Sequence, residues 1–339
     1  MSNKQEVCIL FGGKSEEYEV SLSSAYNVLE NIDTDRYDVC KIGITREGRW
    51  LMYEGDNESI LNDCWEKDAS EVFIDFSTGC VDKLSRGTVF FPVMHGSYCE
   101  DGRLQGIFES LNLRYVGCDS YSSFLCMDKY LTKLIASELN VPTVNYILAK
   151  KHRFNLDKIK NDVLKLSYPV FIKPTRSGSS RGSNIVNNEN ELIYALEDAF
   201  CFSDTALIEK FIKATECEIG VLSTQDGTVF SPVGSLSYEG DFYGYTEKYI
   251  NKCTKYDIPA DISVTARHKI TEYAKMLFEC LGCYGISRLD FFVDGENIYF
   301  NEINTMPGFT EESMLPMLFK KIGYSVSDII DILIKNAKF

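Results

Sequence analysis

The stretch Ile286–Met314, ISRLDFFVDGENIYFNEINTMPGFTEESM, constrains this chain more than any other. Its first part alternates like a half-buried strand, Asp294-Gly295 reads as a turn, and Asn297 to Asn304 alternates again, which predicts a β-hairpin. Side chains two apart share a face, so Arg288 and Asp290 project together from one strand, and Glu302 and Asn304 from the other. A loop of Gly295 to Asn297 would set Asp290 opposite Glu302 and Arg288 opposite Asn304. Opposed carboxylates weaken a hairpin unless positive charge sits between them, and a divalent cation meets that need. Asp290, Glu302 and Asn304 offer hard oxygen donors with no His or Cys among them. Such a set suits Mg²⁺ over Zn²⁺, with phosphate as the usual remaining ligand.

A chain of 339 residues is longer than one domain of about 100–200 residues and predicts two or three. The net charge of -15 excludes nucleic acid or an anionic membrane as the main partner, since either calls for a Lys/Arg surplus. The 12 cysteines are scattered singly, with no signal peptide ahead of them, which predicts free thiols and a cytoplasmic protein. Cys280 and Cys283 form a CxxC-like pair without a second pair or neighbouring His, and are read as structural. No apolar run approaches the ~20 residues that span a membrane.

Along the chain, Val7 to Phe11 reads as a strand entering Gly12-Gly13, followed by a helix to Leu29 with the acid Glu19 beside its start. Val39 to Ile44 and Thr88 to Val93 are further strands, the latter delivering His95-Gly96-Ser97-Tyr98-Cys99-Glu100-Asp101-Gly102 at its carboxyl end, where open α/β sheets bind ligands. Met127-Asp128-Lys129 opens a helix that ends before Val141-Pro142. Tyr168 to Pro174 is a buried strand carrying Lys173, and the Gly/Ser-rich run Thr175 to Ser183, with Ser179 and Ser180, offers backbone N–H groups to phosphate. Ala206 to Ile212 reads as an edge or connector strand whose backbone could bracket an adenine ring. Ser237 to Ile258 is a polar loop with Phe242, Tyr243, Tyr245 and Tyr249 around Lys248, and its length and aromatics suggest a lid. A helix follows from Ser263 to Leu281, and Ser327-Asp328 caps a final one.

In this order the motifs resemble those of the D-alanine:D-alanine ligases of the ATP-grasp superfamily, including their vancomycin-resistance relatives. The anchors span nearly the whole chain: Glu19-Val20-Ser21, His95-Gly96 with Glu100-Asp101-Gly102, Met127-Asp128-Lys129, Lys173-Pro174 before Ser179-Ser180, Glu247-Lys248-Tyr249, Arg288 with Asp290, and Glu302-Ile303-Asn304-Thr305 through Pro307-Gly308.

The resemblance implies an α/β fold of ATP-grasp type in three domains: residues 1–128, a central subdomain 129–216, and a C-terminal subdomain 217–339 with lid and metal site. ATP would lie between the later two, held by Lys129, Lys173, Ser180, Glu209, Lys210, Phe211, Ile212, Glu216 and Lys248. Two Mg²⁺ ions, or Mn²⁺, would sit on Asp290, Glu302 and Asn304. Glu19 would bind the ammonium of the first D-alanine, Lys248 and Ser313 the carboxylate of the second, and Tyr249 with Ser179 would tie the lid to Glu19. Arg288 and the Gly308 N–H would face the developing oxyanion, with His95 nearby. The implied activity makes D-alanyl-D-alanine for peptidoglycan precursors through a D-alanyl phosphate, in a cytoplasmic homodimer.

Two positions depart from the family pattern. Cys99 stands where the family has glycine, and Met314-Leu315 replaces the Arg-Tyr of resistance relatives. Leu125 to Lys129 and Gly308-Phe309-Thr310 look closer to those relatives, which keeps a D-alanine:D-serine ligase as an alternative. A non-catalytic nucleotide or D-alanine sensor would be expected to lack a metal ligand or Arg288. A nicotinamide-dependent dehydrogenase has no use for Lys173 or the acidic hairpin.

Overall fold

The computed structural model describes residues 4–153, 155–237 and 255–338. Three main sheets organise it. The first takes β1 (Gln5–Gly12), β2 (Tyr37–Ile44), β3 (Trp50–Tyr53) and β4 (Ala69–Glu71). Beyond a small hairpin of β5 (Ile74–Asp75) and β6 (Cys80–Val81), it adds β7 (Val89–Pro92) and β8 (Arg114–Tyr115). Its order is β4-β3-β2-β1-β7-β8, parallel from β2 to β8 and antiparallel at β3 and β4. Val7 to Phe11 are fully buried on both faces, as the continuous apolar run requires. Strand order reverses around β1, so the Gly12-Gly13 turn after β1 and His95 after β7 flank the crevice where such sheets bind ligands. Gly12 adopts φ 83°, and a Cβ there would lie 2.3 Å from the Ile44 carbonyl oxygen, so only glycine fits. The helices here are α1 (Tyr18–Asn31), α2 (Asn57–Leu61) and α3 (Arg103–Ser110).

Next come α4 (Ser120–Met127) and α5 (Lys129–Glu138), separated by Asp128, whose carboxylate caps α5 by accepting from the Tyr130 and Leu131 amides. The second sheet is antiparallel, with order β11-β10-β12-β9. It comprises β9 (Tyr146–Lys150), β10 (Val170–Pro174), β11 (Asn184–Val186) and β12 (Thr205–Lys210), packed on α6 (Leu156–Leu166) and α7 (Glu189–Phe202). The segment expected at an edge is therefore interior: β12 lies between β10 and β9, because the short run Tyr146–Lys150, unread in the sequence, pairs along it.

The third sheet holds β13 (Thr215–Thr224), β14 (Gly227–Phe230), β15 (Gly234–Ser237), β16 (Lys255–Asp257), β17 (Ile286–Asp294) and β18 (Asn297–Asn304). Its order is β16-β15-β13-β17-β18, with β14 also on β13. Since Lys255–Asp257 pairs with β15, the expected loop to Ile258 ends in a strand instead. Residues 238–254, with Phe242, Tyr243, Tyr245, Lys248 and Tyr249, lie outside the described residues. Helix α8 (Val264–Cys280) is capped by Ser263 as expected.

The β17–β18 hairpin has the expected pairs, Arg288 with Asn304 and Asp290 with Glu302, but reaches them by another route. Asp294 pairs with Asn297 across a two-residue turn, and a bulge between Asp290 and Phe291 makes up the missing residue. The inserted residue is Asn301, which falls between the Phe291–Phe300 and Asp290–Glu302 pairs.

Helices α9 (Met314–Lys320) and α10 (Val326–Lys335) close the chain. The cap of α10 is Ser325, not Ser327-Asp328. Ser325 Oγ accepts from the Asp328 amide at 3.1 Å, while the Asp328 carboxylate accepts from the Ser325 amide at 2.8 Å. Among the described residues no helix is long and apolar enough to cross a membrane.

Candidate active site

One cavity of about 1490 Å³ lies where the three sheets meet, and every expected site residue among those described borders it. The β17–β18 hairpin forms one wall. The positive charge between its opposed carboxylates comes from the chain itself. Arg288 forks Asp290, Nε to Oδ1 at 2.8 Å and Nη2 to Oδ2 at 2.7 Å, and Lys129 Nζ lies 3.0 Å from Glu302 Oε2. Arg288 also pairs with Glu218 at 3.2 Å, and Asn304 donates to Asp290 at 3.2 Å. Burial alone would lower the Arg288 pKa, but Asp290 and Glu218 outweigh it and hold it well above the ordinary value. Charge balance in the hairpin therefore does not by itself call for a metal. The donor chemistry does suit one: two carboxylates and an amide oxygen fit Mg²⁺, which binds through one or two carboxylates when phosphates complete its shell. Among the described residues no three His, Cys, Asp or Glu side chains converge as a metal-binding group.

The second sheet supplies the basic side of the cavity. Lys173, on β10, donates to Asn301 Oδ1 at 2.8 Å, so the bulged residue of the hairpin reaches across to the second sheet. Lys173 also pairs with Glu209 on β12 at 3.0 Å, and Lys129 donates to the Ser177 carbonyl at 2.9 Å. Burial alone would lower the Lys129 pKa, but the Glu302 carboxylate raises it overall, so Lys129 stays a cation. Lys210, Phe211, Ile212 and Glu216 follow along the strand end and connector, all bordering the cavity. Ser179 and Ser180 both adopt positive φ, 49° and 57°, in the turn that brings Ser179 back towards α1.

At the opposite end stands Glu19. Its side chain is 68% exposed and pairs with Arg46 at 2.6 Å, although the residue still borders the cavity mouth. The carboxylate that Ser179 reaches is Glu17, at the N-cap of α1: the Ser179 hydroxyl donates to Glu17 Oε1. A Cβ on Gly96 or Gly178 would lie 2.6 or 2.7 Å from Glu17 Oε2, so these two glycines make the slot that carboxylate occupies. Beside it, Arg181 pairs with Glu16.

His95 is buried behind this slot. Its Nδ1 lies 2.9 Å from the Met306 carbonyl, which can only accept, so Nδ1 carries a proton. Its Nε2 lies 3.0 Å from Ser24 Oγ, which also accepts from the Phe309 amide at 3.3 Å. Burial would lower the His95 pKa, but Glu100, 3.7 Å away, raises it overall. Cys99 is buried without a left-handed backbone. That conformation falls on Gly96, Tyr98 and Gly102 instead, so the departure from glycine leaves His95 anchored.

Ser313 and Gly308 meet at the other side. Ser313 Oγ accepts from the Thr310 amide at 3.1 Å, and a Cβ on Gly308 would lie 2.9 Å from that oxygen. Met314 follows, buried against Leu236 and Leu318. The described cysteines are free thiols, and Cys283 packs 3.5 Å from Cys126 Sγ, consistent with a structural role. Sequence reasoning missed Glu17, Asn301, Glu218 and Lys133. For Asn301 a signal existed: the buried positions of β18 run Ile298, Phe300, Ile303, and the step from two to three marks the bulge.

The chain as a whole has counterparts among known proteins. Two family models cover the chain, D-ala D-ala ligase N-terminus over residues 6–118 and D-ala D-ala ligase C-terminus over residues 135–335. The D-alanine–D-alanine ligase B of Clostridium tetani is 41% identical, covering 98% of this chain and 94% of its own. The D-alanine–D-alanine ligase of Clostridium acetobutylicum is also 41% identical, with 98% of each covered. Among solved structures, the VanG D-Ala:D-Ser ligase from Enterococcus faecalis superposes with a TM-score of 0.88 at 39% identity, covering 98% of this chain and 99% of the other. The D-alanine-D-alanine ligase from Coxiella burnetii gives 0.85 at 30% identity, with 98% and 95% covered. With both halves matched by the family models and relatives aligned almost end to end, the chain belongs to the D-alanine–D-alanine ligase family.

Proposed function

We infer that this protein is an ATP-dependent ligase that joins two D-alanines into D-alanyl-D-alanine for peptidoglycan precursors. The observation that carries this reading is one cavity with an acidic hairpin, Lys129 and Lys173 on one side and the Glu17–Ser179 pair on the other. It offers one place for nucleotide phosphates and another for an amino acid. The division into residues 1–128, 129–216 and 217–339 is part of this proposal, with the nucleotide lying between the second and third sheets that border the cavity.

In this reading Lys129 and Lys173 bind phosphate oxygens, and Glu209 with the strand from Lys210 to Ile212 borders the adenine and Glu216 the ribose. Mg²⁺ held by Asp290, Glu302 and Asn304 would neutralise the phosphates in the transfer. Glu17, rather than Glu19, receives the first D-alanine's ammonium, because it is the acid inside the cavity. That substrate's carboxylate takes the γ-phosphoryl group of ATP and releases ADP, and the second D-alanine's amine then attacks the acyl phosphate, losing a proton and expelling inorganic phosphate as the tetrahedral intermediate collapses. The Arg288 guanidinium and the Gly308 N–H stabilise the resulting oxyanion, a kind of contact typically worth ~2.7–4 kcal/mol of barrier. Ser313 holds the second carboxylate. Lys248 and Tyr249 keep their assigned roles at the second carboxylate and in closing the lid. A cytoplasmic homodimer completes the proposal.

A D-alanine:D-serine ligase is the second reading, favoured by the similarity to the VanG structure. Met314 argues for D-alanine, since it borders the cavity and packs among Leu236 and Leu318, giving a serine hydroxyl no partner. An unpaired hydroxyl costs about 1–3 kcal/mol, a preference of roughly fivefold to a hundredfold. The test is incubation with ATP, Mg²⁺ and equal D-alanine and D-serine, with the products identified by mass. D-alanyl-D-alanine is expected to predominate. Predominant D-alanyl-D-serine would transfer the assignment to the second reading, and absence of any dipeptide would reject both.

A further inference from the structure

The basic side of the cavity is backed by a charge that no motif singled out. Lys133, on α5, is fully buried and does not border the cavity; it stands behind Glu209, its Nζ 2.8 Å from Oε1. The contact is a buried ion pair. The other oxygen, Oε2, lies 3.0 Å from Lys173 Nζ, and Lys173 also donates to Asn301.

One buried carboxylate between two ammoniums leaves one positive charge uncancelled. Were residue 133 apolar, both oxygens of Glu209 could turn to Lys173, and the two would close into a neutral bidentate pair. With Oε1 held from behind, Lys173 shares a single oxygen and keeps its remaining charge facing the cavity. Burial alone would raise the Glu209 carboxyl, yet Lys133 and Lys173 reverse it and hold it below its ordinary value, so the anion between them persists. Burial lowers the pKa of Lys133, and Glu209 opposes the shift.

We propose that Lys133 is a positioning residue for the nucleotide: by holding Glu209 from behind, it keeps the charge of Lys173 available to the phosphates of ATP. This rests on the nucleotide reading of the cavity given above. The role differs from simple support of the fold, because its effect must scale with phosphate charge and must vanish once Glu209 is uncharged.

The experiment measures calorimetric binding of adenosine, ADP and ATP, with Mg²⁺ and without D-alanine. It compares the unmodified protein with K133M, K133M/E209Q and K173M. K133M is expected to weaken ATP binding at least about tenfold while changing adenosine binding less than about twofold. K133M/E209Q is expected to recover the ATP-to-adenosine affinity ratio of the unmodified protein, since Lys173 has no carboxylate to close on. Equal losses for adenosine and ATP in K133M, unchanged ATP binding in K133M, or no recovery in the double variant would overturn the proposal. If K133M does not fold, the double variant decides, because it removes both charges of the buried pair: a ratio at or above that of the unmodified protein supports the proposal, and a lower one overturns it. K173M separates the levels. If it binds ATP normally, the nucleotide reading fails and takes the proposal with it, whereas a loss in K173M beside a normal K133M rejects the proposal alone.

Discussion

Glu17 and Glu19 are both acids beside the start of α1, and the backbone decides which one enters the cavity. Helix onsets are legible from sequence only to within a residue or two, which is enough to exchange an inward acid for an outward one. The same limit hid Lys133, since a lysine in an amphipathic helix reads as part of its wet face, whereas Arg288, Asp290 and Lys173 were legible because strand alternation assigns faces without ambiguity. Glu17→Gln should raise the D-alanine KM by about tenfold to a hundredfold, the worth of a charged hydrogen bond, while Glu19→Gln stays within about twofold. Initial rates across D-alanine concentrations check this, and the reverse pattern would restore Glu19. Glu302 supplies a second case. Two repelling carboxylates would predict a gain in stability from Glu302→Gln, but Lys129 sits 3.0 Å from that carboxylate and would lose its counter-charge. The variant should therefore melt at lower temperature, by the equivalent of about 1–3 kcal/mol, less than a fully buried pair would lose because both groups are partly wetted. It should also release almost no phosphate from ATP at saturating Mg²⁺. A higher melting temperature or normal turnover would each contradict the assignment.

The hairpin of β17 and β18 shows how an element can be read correctly for an incorrect reason. A three-residue loop and a two-residue turn followed by one bulged residue give the same pairing beyond the bulge, so Asp290 still faces Glu302. Faces, however, are where the two differ. Removing Asn301 would leave Ile298, Phe300 and Ile303 in strict alternation, with every other side chain of β18 on its present face. The bulge thus adds one residue to the cavity wall, and that residue holds Lys173. Deleting Asn301 should preserve the fold and leave the melting temperature equal or higher, because the ladder becomes regular. The same deletion should raise the ATP KM about tenfold or more, as a hydrogen bond to a charged group is lost. An unchanged KM would mean that the bulge serves something other than Lys173. The interior position of β12 was not legible for a related reason: β9 is short and half-exposed, so nothing in its composition marked it as the strand that covers β12.

At the scale of the whole molecule, the first sheet owns the core on only one of its faces, where Cys8, Leu10, Ile42, Phe90 and Phe108 cluster, and shares the core on the other. Val7, Ile9 and Phe11 of β1 and Leu22 and Val28 of α1 pack in one cluster with Ile286, Phe309, Leu315, Phe319 and the α10 residues Ile329, Ile330, Leu333 and Ile334. The end of the chain continues the same sheet: the Tyr115 amide donates to the Lys338 carbonyl at 2.9 Å and the Lys338 amide to the Tyr115 carbonyl at 3.2 Å, extending the ladder past β8. A division of the sequence after residue 128 cannot see this, because contact between the ends of a chain leaves no local pattern. The cavity wall formed by Glu17, His95 and Gly308 is thereby held by residues from both ends, with the Asn27 side-chain Nδ2 donating to the Phe309 carbonyl at 2.7 Å. Two measurements follow. Leu333→Ala should cost about 2–5 kcal/mol, the range for emptying a buried leucine site, although the residue does not border the large cavity. A fragment of residues 1–128 should lack a cooperative thermal transition, because the face of α1 and β1 that meets α10 would be left in water. Adding a peptide of residues 324–339 should not rescue it, since Ile286, Phe309, Leu315 and Phe319 would still be missing. A fragment that melts cooperatively, with a tolerant Leu333→Ala in the full chain, would show instead that the first sheet folds by itself and that the shared core is only a docking surface.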